Sequence, residues 1–390
     1  MKKKCIKIAH ISYFFASSTY LRKIETLATS WPTDNLVVVP KEWWDNIGLK
    51  ADKIQNKSSA SLKVVEKKTF MNWKIWGNKR WHLFIMASSL INDVRKFSPD
   101  IIDLDVEPYS LLALQVTLIK KIWLKKSRLI LHSSQNIYKD HLWPFRWIEN
   151  FVLNNSCMVM ARNDDVGDVL RLKGYHGILK VVTHGVDIDL FCPANPQVAS
   201  GIDKSKERPF VIGYAGEMAA HKGVEYILRA ASRLPFPYWL KLAGNGIQKR
   251  NLEDLCHKLG IEFYTTFLGK IQSSDMPSYL QQLDVLVLPS ITVSGWKEQF
   301  GRIIIEAMAC GIPVIGSNCG EIPKVLGDAG LVIAERSASE IESAIKRLYY
   351  DKALRKELSV KARLRVENRF SWKIVTDQIY SLYMDCLKLS

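Results

Sequence analysis

Glu298 and Glu306 flank the start of an apolar helix, and they are the chain's strongest chemical signal. Residues 284–289 read as a buried strand, followed by a polar loop with Ser294 and Gly295. A helix is predicted from about Phe300 to Cys310, closed by Gly311 and Pro313. Three consecutive isoleucines, then Ala307 and Met308, make that helix apolar on most sides. A carboxylate inside it, Glu306, is costly unless something pairs with it. Glu298 lies just ahead, where backbone N–H groups are unpaired and the helix dipole is positive. A helix start after a parallel strand is a ready site for a phosphorylated ligand.

Two more loops fall at the carboxyl ends of predicted strands, the edge where open parallel sheets bind ligands. The loop 213–223 carries glycines at 213, 216 and 223, with Lys222 at a helix opening. Glycines let a backbone approach phosphate, and Lys222 supplies a cation. The other is Leu242-Ala-Gly244-Asn245-Gly246. It opens like a G-x-G-x-x-G fingerprint, but Lys249 stands at the third glycine, so a dinucleotide site is weakly supported. A tight strand-to-helix turn would use the same residues. No Walker A sequence occurs.

The segment from Glu298 to Glu306 resembles the E-x7-E motif of the family-four retaining glycosyltransferases, which have the GT-B fold. Phe300 and Gly301, the Gly-x-Pro-Val-Ile after the helix, and Gly320-Glu-Ile-Pro323 downstream match as well. The resemblance implies that Glu298 faces a donor sugar and Glu306 holds the ribose hydroxyls of a nucleotide. It also implies that Lys222 and the helix start at Phe300, Gly301 and Arg302 meet the donor diphosphate. Gly216, Gly244 and Asn245 would lie beside the nucleotide. The leaving diphosphate itself would help deprotonate the acceptor, so no protein base is required. One position departs: the family's usual arginine is Glu217 here, which would repel a diphosphate. Either His221, Arg302 or Lys297 substitutes, or Glu217 turns away, or activity is reduced.

The first half matches less closely. Its opening loop, residues 12–19, lacks the paired glycines of many relatives. His132 ends an apolar strand and precedes Ser133-Ser134-Gln135-Asn136, a polar cluster that fits an active-site wall. Relatives place a histidine near the donor sugar there, so His132 is a third catalytic candidate beside Glu298 and Lys222. A lone histidine is more often structural. The segments beginning at Gln135 and Pro144 resemble a bacterial surface-polysaccharide branch of the family. Thr183-His-Gly-Val-Asp187 is similar to its N-G-V-D loop, with His184 for asparagine.

Alternating strand and helix signals run through all 390 residues, which indicates an α/β protein with parallel sheets. The expected organisation is two Rossmann-like domains facing a cleft. An acceptor-side domain would cover 1–192, a linker 193–209, and a nucleotide-sugar domain 210–370. A helix over 371–390 is amphipathic, and the resemblance implies that it packs back on the first domain.

Net charge is +16, which points to an anionic partner. Residues 41–81 mix lysines with Trp43, Trp44, Trp73, Trp76 and Trp81, a composition suited to an anionic membrane surface or to a solvated face over core tryptophans. No binding motif for nucleic acid accompanies the charge. No apolar run is long enough for a transmembrane helix, and Lys7 and His10 interrupt the start, so a strand is expected there and not a signal peptide. Seven scattered cysteines predict a reducing cytoplasm and no structural zinc. The expected activity is transfer of a sugar from a nucleoside diphosphate to a hydroxyl of a lipid-linked or surface-glycan acceptor. No metal and no cofactor besides the donor is expected. A non-catalytic sugar-nucleotide binder and a GT-B epimerase are the alternatives.

Overall fold

The computed structural model describes residues 5–16, 18–41, 59–70, 81–194 and 208–389. Trp43, Trp44, Trp73 and Trp76 and most of the expected linker lie outside the described residues. The chain divides into two units, one of residues 1–183 with 372–390, the other of residues 184–371.

The first unit is built on the strands β1 (Ile6–Ile11), β2 (Thr33–Pro40) and β3 (Leu62–Lys67), a short antiparallel pair β4 (Thr69–Phe70) and β5 (Ile85–Met86), then β6 (Ile101–Leu104), β7 (Arg128–Ser133), β8 (Met158–Ala161) and β9 (Ile178–Val181). Seven of these make one parallel sheet in the order β3-β2-β1-β6-β7-β8-β9. The connecting helices are α1 (Ser18–Ser30), α2 (Ser89–Phe97), α3 (Leu111–Trp123), α4 (Phe145–Asn154) and α5 (Asp164–Leu172). The central strands are buried on both faces because helices cover both.

The second unit repeats the scheme with β10 (Phe210–Ala215), β11 (Tyr238–Ala243), β12 (Thr265–Gly269), β13 (Val285–Leu288), β14 (Val314–Ser317) and β15 (Leu331–Ile333). Its parallel order is β12-β11-β10-β13-β14-β15. Helices α6 (Val224–Ala231), α7 (Lys249–Leu259), α8 (Met276–Leu280), α9 (Arg302–Ala309), α10 (Ile322–Leu326), α11 (Ala338–Tyr350) and α12 (Lys352–Arg369) complete it. The strand order reverses between β10 and β13, which opens a crevice at their carboxyl ends.

The last helix, α13 (Trp372–Lys388), belongs to the first unit. Val375, Ile379 and Tyr383 pack against Ile8, Ile130 and Met160 of the sheet, and Trp31 stacks on Tyr380 at 4.2 Å. Two expectations need correction. The first unit ends at Thr183, not at residue 192. Residues 184–192 go with the second because Val186 N–H donates to the Phe370 carbonyl at 2.8 Å and Arg363 binds the carbonyls of Ile188 and Phe191. Secondly, Cys157 and Cys386 are joined as a disulfide, Cα–Cα 6.5 Å, between the head of β8 and α13. With 229 residues between them, spacing gave no sign of the pair.

Candidate functional site

In the second unit, the loops after β10 and β13 knit together at the crevice. Gly223, at φ 67°, lets the first loop pass so close to Pro289 that a Cβ would lie 2.1 Å from its carbonyl oxygen. Ile291 N–H then donates to the His221 carbonyl at 2.8 Å. Lys222 Nζ reaches Glu298 Oε2 at 2.8 Å and sits 4.3 Å from the centre of the Trp296 ring. Ser290 Oγ donates to the same carboxylate oxygen at 3.1 Å. Both charged side chains are largely buried, so their attraction is weakly screened. His221 packs on Trp296 at 4.1 Å; partial burial and then the Lys222 charge lower its pKa.

Helix α9 starts at Gly301, whose φ of 75° only glycine adopts cheaply. Arg302 Nη2 meets Glu306 Oε1 at 3.1 Å along the helix. Burial raises the Glu306 carboxyl above its ordinary range, and Arg302 opposes that rise. The Phe300 side chain is 3% exposed and packs with His184 at 5.2 Å and Phe370 at 5.8 Å, so at this position only the backbone of the helix start is left to meet a ligand.

The third loop is bound to the first. Met218 N–H donates to the Asn245 carbonyl at 2.9 Å, and Gln248 N–H returns to the Met218 carbonyl at 2.9 Å. A Cβ on Gly244, at φ 138°, would lie 1.8 Å from the Gly216 carbonyl oxygen. Gly216 and Asn245 themselves are exposed. Thus Glu298, Lys222, Gly216, Gly244, Asn245, Gly301, Arg302 and Glu306 share one sheet edge. Glu217 is exposed, and its carbonyl accepts from the Tyr214 hydroxyl at 2.7 Å.

Downstream, Glu335 holds the loop that carries Glu298. Its carboxylate accepts from Thr292 N–H at 2.7 Å and from Thr292 Oγ1 at 2.6 Å. Sequence reasoning missed this residue, since nothing local ties it to the motif.

His132 belongs to the first unit. Expected beside a polar cluster that fits an active-site wall, it is 1% exposed, inside β7. Its Nε2 is 2.6 Å from Asp103 Oδ1, while Nδ1 has no hydrogen-bond partner among the described residues. Asp103 also meets His10 Nδ1 at 2.9 Å and the Tyr383 hydroxyl at 2.7 Å. Burial alone would raise its carboxyl; His132, Lys23 and His10 outweigh burial and hold it well below the usual range. Asp105 is lowered in the same way by Arg162, 2.5 Å away, with His132 and Lys23. Glu107 differs: burial pushes its carboxyl up to about 7, although Ser133 Oγ and Ser134 N–H donate to it at 2.8 and 2.7 Å. Acidic residues alternating at 103, 105 and 107, at the end of an apolar strand and just past it, were the available signal for the three carboxylates.

Residues 199–365 match the family model described as Glycosyl transferases group 1. An uncharacterized glycosyltransferase of Methanocaldococcus jannaschii is 26% identical over 220 residues, 54% of this chain and 55% of that protein. A D-inositol 3-phosphate glycosyltransferase of Saccharomonospora viridis is 28% identical over 223 residues, 54% of this chain and 50% of that protein. The chain thus spans about half the length of the curated relatives it matches.

Solved structures extend the likeness to the whole chain. Sucrose-phosphate synthase from Thermosynechococcus elongatus superposes with TM-score 0.76 at 19% identity, covering 99% of this chain and 100% of that one. Anabaena HepE in complex with UDP gives 0.71 at 16%, covering 98% and 100%. WaaG, a glycosyltransferase involved in lipopolysaccharide biosynthesis, gives 0.63 at 16%, covering 96% and 99%. At such identities the likeness concerns the fold, which is GT-B.

Proposed function

We propose, on the premise that the chain carries a glycosyl transferases group 1 domain on a GT-B fold, that it moves a sugar from a nucleoside diphosphate to an acceptor hydroxyl with retention of configuration. One observation carries this: Lys222 and Glu298 pair at 2.8 Å beside the glycine turns at 216 and 244, where β10 and β13 part. The cation and the α9 start would receive the diphosphate, and Glu298 would then turn to the donor sugar. Glu306 would accept from the ribose with its Oε2, since Arg302 meets Oε1. Catalysis would be positional and electrostatic.

Glu217 presents its side chain to solvent in this arrangement, and Arg302 supplies a second cation at the helix start. His132 would act as a buried positioning group under the first unit's sheet edge. We infer a lipid-linked or surface-glycan acceptor, the class suggested by the polysaccharide-branch segments and by the likeness to WaaG. UDP and UDP-glucose, which Anabaena HepE binds, are the first ligands to try.

The test is donor consumption with product analysis by NMR. Sugar transfer or hydrolysis with retained anomeric configuration, lost in Glu298→Gln, supports the assignment. Release of an epimerised sugar without acceptor would favour the epimerase, and nucleotide binding without any turnover would favour a non-catalytic binder.

A further inference from the structure

Helices α3 and α4 expose apolar stripes that neither of them covers. On α3, Leu118, Lys121 and Ile122 are all exposed, which is one helix face by spacing, and Lys125 is exposed in the turn just past the helix end. On α4 and the turn before it, Trp143 and Trp147 lie four residues apart and are 83% and 52% exposed. Leu142 beside them is 85% exposed. The two stripes form one surface: Trp147 stacks on Phe151 at 5.2 Å, and Lys121 Nζ lies 5.2 Å from the centre of that same Phe151 ring. Globular proteins seldom expose large apolar side chains in such a cluster without a partner.

Charge says which partner. Residues 108–148 contain seven lysines and arginines against one acid, Asp140, which pairs with Arg146. The Lys120 pKa is lowered by partial burial and then by the neighbouring Arg128 and Lys121 charges. Tryptophans and aliphatic side chains ringed by lysine suit the boundary between lipid headgroups and acyl chains. A base-stacking surface would have little use for Leu118, Ile122 and Leu142. No helix among the described residues is long and apolar enough to cross a membrane.

We infer that the α3–α4 face docks on the surface of a bilayer containing anionic phospholipid, with Trp143 and Trp147 entering the headgroup layer and Lys121 and Lys125 meeting lipid phosphates. It deepens the proposed function, on which it rests for the idea that the acceptor is carried by lipid.

Flotation of the full chain on vesicles of phosphatidylcholine, with and without phosphatidylglycerol, tests it. The chain should float only with the anionic vesicles and be released by salt. Lys121→Glu/Lys125→Glu should weaken binding by at least about twenty-fold, since each surface cation is worth about five-fold. Trp143→Ser/Trp147→Ser should weaken it several-fold, and both double variants should keep the wild-type circular dichroism and UDP-induced thermal shift. Absence of flotation, or flotation indifferent to both pairs, would overturn the inference. So would a lipid-free dimer that the tryptophan pair dissolves, which would give the face to a second copy. Flotation without any nucleotide binding would leave this surface standing and remove the glycosyltransferase reading instead.

Discussion

Lys222 and Glu298, 76 residues apart in sequence, form a 2.8 Å ion pair that joins the loops after β10 and β13. The pair is largely buried, with side-chain exposures of 17% and 12%. Removing one partner strands the other in a poorly solvated place. Lys222→Ala should therefore cost about 2 kcal/mol of stability in urea unfolding, within the range for unpaired buried groups. Glu298→Gln keeps a hydrogen-bonding group and should cost less, yet abolish donor turnover. Equal stability losses with full turnover in both would contradict the assigned roles.

The glycine turns predict a sharp contrast. Gly244→Ala would drive a Cβ into the Gly216 carbonyl at a backbone angle that side chains avoid. It should destabilise the chain by about 3 kcal/mol or prevent nucleotide binding. Gly295→Ala also meets positive φ, but in open space, and should cost about 1 kcal/mol. Thermal unfolding of the two variants side by side checks this.

Glu107 gives a pH signature. Its folded pKa, about 7, exceeds the ordinary carboxyl value of 4.5, so the folded state binds the extra proton between those limits. Stability therefore falls as pH rises from about 4.5 to 7, by at most about 3 kcal/mol. Glu107→Gln, compared with the wild type by urea unfolding across that window, should remove this slope. A difference between the two that is constant with pH would contradict it.

Much of this architecture was legible in sequence. The strands at 6–11, 210–215 and 331–333 occur where alternation of apolar runs and turns put them. Helix α9 is two residues shorter at its start than expected because Gly301 takes a left-handed backbone that caps it. The grouping of Lys222, Glu298 and Glu306 at one sheet edge was legible because each lies in the loop or helix that directly follows its strand. The Asp103 cluster was not: His10, His132 and Tyr383 come from distant strands and the last helix, and only tertiary packing brings them to one carboxylate. The docking face also escaped notice. Only the structure shows which side of α3 is bare.

Nucleotide binding tests the central claim most directly. Thermal unfolding of the wild type and Glu306→Ala should be followed with UDP, GDP, ADP and their sugars. At about a hundred times its dissociation constant, the right ligand adds about 2.7 kcal/mol to stability. The account predicts that one nucleotide and its sugar raise the wild-type melting temperature and leave Glu306→Ala unmoved. No shift with any nucleotide, or an equal shift in the variant, would contradict it.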